Sequence, residues 1–264
     1  MKKALLIGMN YFDTQYTLHG CINDVNNMKD MLLNHFGFAE DNFTVLVDDD
    51  TSTELPSKDT ILYHLDNLVR DAREGDVLVL HYSGHGTQIL DYNGDEKTGF
   101  DDAIIPMDYE KNGVISDDTI FKQLVSKVPK GVKLVVFFDC CHSGTMCDLE
   151  YNMKYVAPKR FTTDLDKWND RFVLWEEKSL SVPGTVYMFS GCYDEQTSAD
   201  AFINMKSQGA FTFVIIDILH KFNFNVTYKQ LLKYINATLS LQGFEQRSQL
   251  SFSLDNTQNE QFGF

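Results

Sequence analysis

Two short stretches carry residue types suited to nucleophilic chemistry. Asp139–Gly144 reads DCCHSG, and Ser83–Gly86 reads SGHG. Each follows an apolar run, Leu134–Phe138 (LVVFF) in the first case and Val77–Tyr82 (VLVLHY) in the second. Short runs rich in β-branched and aromatic residues read as strands buried on both faces, as in the middle of a parallel sheet. In such sheets ligands bind beyond the carboxyl ends of the strands. If the two strands are neighbours, both loops emerge at one edge. His85 and Cys141, 56 positions apart, then come together in space. That distribution suits a thiol nucleophile and its base.

A free thiol has a pKa of about 8.5, which a neighbouring imidazolium or helix N-terminus lowers. Cys141 stands where a strand gives way to a new element, so both influences are at hand. The pattern does not decide between Cys140 and Cys141. His85, flanked by Gly84 and Gly86, is the candidate base and acid. His142, beside the thiol, ranks behind it, because adjacent residues on an extended turn point to different sides. The N–H groups of Gly86 and Cys141 are candidates for an oxyanion hole. Asp139 closes a buried strand, where a carboxylate is costly unless paired. A substrate Arg or Lys could pair it, as could an internal helix or loop terminus. Asp24 is read with it as a specificity residue.

The acidic loops offer a second chemistry. Asp101, Asp102, Asp117, Asp118 and Asp148 lie near loop ends around the same edge. A hard cation such as calcium needs several such oxygens, while a solvated acidic face explains them equally well. Asp91, Asn93, Asp95 and Asp102 do not make an EF-hand, because Glu96 stands where Gly is needed and Asp102 where Glu is needed.

Net charge is −15, from 23 basic and 38 acidic residues among 264. Nucleic acid is not an expected partner, since nothing basic is concentrated enough to neutralise phosphates. Five cysteines, an odd number with one adjacent pair, argue against a disulfide framework and for a reducing, cytoplasmic setting. The absence of any C-x-x-C pair argues against a thiolate zinc site. The N-terminal MKKALLIG has too short an apolar segment for a signal peptide, which needs ~7–15 residues. Phe211–Leu219 falls short of the ~18 a membrane span needs.

Elements must then position the loops. Ala4–Gly8, Phe43–Val47, Asp76–Tyr82, Lys133–Phe138, Thr185–Ser190 and Gln249–Leu254 read as strands, and Ala103–Pro106 as a short one. Helices are expected after Asp24 as cap, from Ser57 to about Arg73, from Ser116 or Asp117 to about Lys127, over Gly209–Phe222 and over Tyr228–Leu239 behind Thr227. Thr87–Asp102 reads as a long polar loop, and Asp148–Pro183 as an irregular connection with basic sites at Lys154, Lys159, Arg160, Lys167, Arg171 and Lys178. Alternating strands and helices indicate an α/β fold with a largely parallel sheet.

YSGHG (Tyr82–Gly86) and DCCHSG (Asp139–Gly144) resemble the two signature blocks of the metacaspases, caspase-like cysteine peptidases. GCINDV (Gly20–Val25), GFDDAIIPMD (Gly99–Asp108) and SGCYDEQTSAD (Ser190–Asp200) resemble that family's other blocks, in its order. The resemblance implies a caspase-like three-layer sandwich with a mostly parallel central sheet and helices on both faces. It implies a larger half over 1–149, a connecting segment over 150–184 and a smaller half over 185–264, together one compact catalytic domain. Cys141 would be the nucleophile and His85 its partner. Cys21, Asp24, Ser83 and Asp139 would form an acidic pocket for an Arg or Lys at P1. Calcium would activate through Asp101, Asp117, Asp118 and Asp148, with Asp102 replacing Asp101 if the register slips by one. The expected protein is a monomeric type I core without a prodomain, cutting peptides and proteins and itself cleaved at a basic residue of Asp148–Pro183. The rival reading is a catalytically silent caspase-like scaffold.

Overall fold

The computed structural model describes residues 1–50, 52–92, 94, 99–157, 163–177, 181–191 and 210–264. Asn93, Asp95, Lys159, Arg160, Lys178 and nearly all of the SGCYDEQTSAD block, Cys192 included, lie outside the described residues. In chain order the elements are β1 (Lys2–Gly8), α1 (Cys21–Phe36), β2 (Phe43–Val47), α2 (Lys58–Val69), β3 (Val77–Ser83), β4 (Gly86–Leu90) and β5 (Phe100–Ile104). Then follow α3 (Tyr109–Asn112), β6 (Ile115–Ser116), α4 (Asp117–Gln123), β7 (Lys133–Asp139), β8 (Tyr151–Tyr155), β9 (Phe172–Glu176) and β10 (Thr185–Ser190). The chain closes with α5 (Ala210–Lys221), α6 (Tyr228–Leu241) and β11 (Gln249–Phe252).

Eight strands form one sheet in the order β2-β1-β3-β7-β10-β11-β8-β9. The first five run parallel; β11, β8 and β9 are added antiparallel. Alternation along each strand sends side chains to two separate cores. Leu6, Val79, Val135, Phe137, Tyr187 and Phe189 face α1, α5 and α6. Leu5, Leu80, Leu134, Val136, Phe138 and Met188 face α2 and α4. The result is an α/β fold of three layers, as expected. Ser57 and Thr227 cap their helices as read, and of the two candidates Ser116 rather than Asp117 caps α4, each hydroxyl accepting an N–H three residues on.

Three expectations fail. Thr87–Asp102 is not a loop throughout, because β4 and β5 pair antiparallel and β6 extends them into a small second sheet. The carboxylates of Asp101 and Asp102 hid this strand, since both are buried. Asp148–Pro183 is not irregular throughout: β8 and β9 lie inside it and form the outer edge of the main sheet. Asp24 does not cap α1. That helix starts behind Gly20 without a side-chain cap, and the Asp24 carboxylate turns inward instead.

Candidate active site

β3 and β7 are parallel neighbours with Ser83 opposite Asp139. His85 and Cys141 therefore each stand two residues beyond a matched pair, at the carboxyl edge of the sheet. The two loops touch. A Cβ added to Gly86 would meet the Cys141 carbonyl oxygen at 2.0 Å and the Cys140 sulfur at 3.3 Å. Only glycine allows this approach.

The His85 peptide is held from both sides by tyrosines that the sequence reading did not single out. His85 N–H donates to Tyr11 Oη at 3.1 Å, and Tyr82 Oη donates to the His85 carbonyl at 2.7 Å. The Tyr11 ring packs on the imidazole with centroids 4.7 Å apart. His85 Nε2 lies 2.7 Å from the Tyr16 carbonyl, which can only accept. The proton therefore sits on Nε2, and Nδ1 is the basic nitrogen. Burial lowers the His85 pKa, while the Tyr16 carbonyl opposes the shift. A neutral imidazole at neutral pH is the form a general base needs.

The two cysteines differ in setting. Cys140 packs into the core on the α2 and α4 side, and burial pushes its thiol well up, helped by Cys141 and Asp139. Cys141 belongs to neither core cluster. His142 takes the left-handed turn of the loop at φ 49° and is itself buried. Ser143 Oγ donates to the Cys140 carbonyl at 3.0 Å. The far end of the loop is held from the other half of the chain: Gln249 Nε2 donates to the Gly144 carbonyl at 2.8 Å. Asn152 Oδ1 accepts from Ser251 Oγ at 2.6 Å in the same buried cluster.

Beside this rim, on the face covered by α1 and α5, lie Asp24 and Asp139. Ser83 Oγ donates to Asp24 Oδ2 at 2.8 Å. Thr212, in the first turn of α5, gives Asp139 Oδ2 its backbone N–H at 2.9 Å and its hydroxyl at 2.8 Å. The internal helix-terminus reading of Asp139 is thus realised in part, but it neutralises no charge. Burial raises the pKa of Asp24 to about 7 and that of Asp139 well above the usual range, where Asp24 adds its repulsion. Among the described residues no Lys or Arg forms an ion pair with either. Cys21 is also buried here, its thiol pushed up by burial and by Asp24 and Asp139.

The second acidic group lies behind the small sheet. Asp117 Oδ2 accepts the Asp102 N–H at 2.7 Å, and Oδ1 accepts the Asp118 N–H at 2.8 Å. Burial, followed by the charge of Asp148, pushes the Asp117 carboxyl up to about 9. Asp102 is used internally: Gln88 Nε2 donates to its Oδ1 at 3.1 Å and Thr145 Oγ1 to its Oδ2 at 3.2 Å. Asp101 is buried on β5, while Asp118 and Asp148 are half-buried. Among the described residues no three Asp, Glu, His or Cys side chains gather into a metal-holding group.

Comparison with known proteins supplies the class. The family described as metacaspase, peptidase C14 domain, matches residues 2–150. Metacaspase-1 of Scheffersomyces stipitis is 36% identical over 99% of this chain and 73% of its own length. Metacaspase-1 of Arabidopsis thaliana is 36% identical over 90% of this chain and 64% of its own. A crystal structure of a protein from Geobacter sulfurreducens superposes with a TM-score of 0.67 at 23% identity, covering 98% of this chain and 97% of the other. The chain belongs to the metacaspase family of cysteine peptidases.

Proposed function

We propose that the protein is a calcium-dependent endopeptidase that cuts after Arg or Lys through Cys141 and His85. The observation that carries the proposal is the matched register of β3 and β7, which sets His85 and Cys141 on one rim beside two buried carboxylates. His85 Nδ1 takes the Cys141 proton, and the thiolate attacks the scissile carbonyl. The N–H groups of Gly86 and Cys141 receive the oxyanion. The imidazolium then protonates the leaving amine, and a thioester remains. Water, deprotonated by His85, hydrolyses it. Asp24 and Asp139, with Ser83 and Cys21 around them, receive the cationic P1 side chain. Its charge supplies a counter-ion that no described Lys or Arg gives these carboxylates.

Calcium is the second part of the proposal. Asp101, Asp117, Asp118 and Asp148 would hold it, and their oxygen donors suit a hard cation. The carboxyl of Asp117, pushed up by burial and by Asp148, is the group such an ion would relieve. When bound, it would supply positive charge beside the buried carboxylates of Asp101 and Asp117. Because these carboxylates are not gathered in the present arrangement, binding would draw them together and reshape the loop beyond Cys147.

The test uses fluorogenic Arg, Lys and Asp peptides, with calcium or chelator, on wild type and Cys141→Ala. Arg and Lys peptides are expected to be cut in calcium, with a loss of at least about 10³-fold in Cys141→Ala. Cleavage of Asp peptides alone sinks the pocket assignment. Full activity in chelator sinks the calcium requirement.

A further inference from the structure

β3 places a histidine where the core would accept an aliphatic residue. His81 is fully buried and points to the same face as Ser83, two residues on. Its Nε2 lies 3.0 Å from Thr212 Oγ1, and its Nδ1 has no hydrogen-bond partner. Burial holds the ring neutral, its pKa lowered to about 3. A buried imidazole with one nitrogen unsatisfied is an unfavourable core residue. Its presence calls for a use of the other nitrogen.

Counting protons gives that use. Thr212 has one hydroxyl proton. When Asp139 is ionised its carboxylate can only accept, so that proton goes to Asp139 Oδ2, 2.8 Å away. Thr212 Oγ1 must then accept at its other contact, and His81 Nε2 is the donor. The string runs His81 to Thr212 to Asp139, all hydrogen bonds pointing toward the carboxylate. Both hydrogen bonds that described residues make to Asp139 fall on Oδ2, which leaves Oδ1 for a ligand. Among the described residues, the titratable groups around Asp139 are Asp24 and Cys21 of α1, His81 of β3, and Cys140 and Cys141 of its own loop.

We infer that Thr212 and His81 are positioning residues for P1 recognition: they hold the Asp139 carboxylate in one orientation and lower the cost of its ionised form, so that an arriving cationic side chain ionises it more readily. Neither touches substrate. Both act through Asp139, and the assignment rests on the pocket proposed above. The string also joins the specificity pocket to the first turn of α5, so the seating of that helix sets the pocket's charge.

The experiment measures kcat and KM for Arg and Lys peptides, from pH 5.5 to 9, on the full chain. The variants are Thr212→Val, Thr212→Ser, His81→Leu and His81→Gln. Thr212→Val keeps the backbone N–H and loses the hydroxyl. KM is expected to rise about ten-fold, the usual worth of one charge-assisted hydrogen bond, with kcat within two-fold. The acid limb of kcat/KM moves to higher pH, because the ionised carboxylate has lost a donor. Thr212→Ser restores both. His81→Leu shifts KM and the limb in the same direction by less, and His81→Gln, which keeps a donor, restores them in part. If Thr212→Val does not fold, the His81 pair carries the test. Wild-type cleavage after Arg or Lys with KM and acid limb unchanged in Thr212→Val and His81→Leu overturns this inference and leaves the pocket standing. A wild type that ignores Arg and Lys peptides overturns both.

Discussion

Asp24 and Asp139 meet under α1 and α5, while Asp102 and Asp117 meet behind the small sheet at the start of α4. Both pairs are buried, and neither contains a Lys or Arg partner among the described residues. They are satisfied differently. Asp117 and Asp102 draw largely on the backbone and on Gln88 and Thr145, so their oxygens are tied to the fold. Asp24 takes one hydroxyl, and Asp139 takes one hydroxyl and one N–H on a single oxygen. Acidity alone therefore does not mark a substrate pocket. A carboxylate with an oxygen left over, beside the nucleophile, is what suits one to an exchangeable cation. A carboxylate bound into the backbone suits an ion that alters the fold around it.

The largest effect expected from this contrast is Asp139→Asn. It keeps an acceptor for Thr212 but removes the charge, so kcat/KM on Arg peptides should fall by about 10²-fold or more. Thermal stability should hold or rise, because a buried charge has gone. A variant as active as wild type breaks the contrast.

Asp117→Asn should act on the other side. The calcium concentration for half-maximal activity should rise about ten-fold, while activity in chelator stays as it was. Its melting temperature carries a second signature. The folded pKa of Asp117, about 9, lies above its ordinary 3.8. Its stabilising contribution is complete below pH 4 and is lost as pH rises toward 9. Between pH 5 and 9 without calcium, Asp117→Asn should therefore gain several degrees relative to wild type. A constant difference would remove the argument.

Smaller effects follow in the pocket. With Asp24 raised to about 7, kcat/KM for Arg peptides should fall as pH drops through about 7, as the pocket takes up a proton. His85 is lowered below its ordinary 6.5, so it does not set this limb. The limb in kcat should lie at lower pH, because the bound cation favours the ionised pair. Ser83→Ala removes one neutral donor from Asp24, and a KM increase of about three-fold is expected. A rise as large as that of Asp139→Asn would show Ser83 to be a direct ligand.

How far the sequence revealed the site follows from the range of the interactions. Leu134–Phe138 and Val77–Tyr82 are apolar runs whose ends could be read locally, and their parallel pairing delivered the His85–Cys141 edge. The front of β5, Phe100–Asp102, was hidden because its sequence, FDDAI, places two acids inside the protein, and only its end at Ala103 was legible. β8 and β9 were hidden because they are short, and β9, the edge strand, exposes Val173 and Leu174 on consecutive positions. The contacts of Asp24 with Ser83 and of Gln249 with Gly144 span 59 and 105 positions. Local pattern carries no signal for either.

The outer edge of the sheet has one more consequence. β8 lies between β11 and β9, both later in the chain, and β7 borders β10. A single cut between β8 and β9 would leave two fragments whose strands interleave like clasped fingers. Gln249, on the second fragment, would still grip the loop of the first that bears the thiol. Such a nicked protein should run as two bands in denaturing electrophoresis and as one species in gel filtration, so a cut there would change the chain without dismantling it.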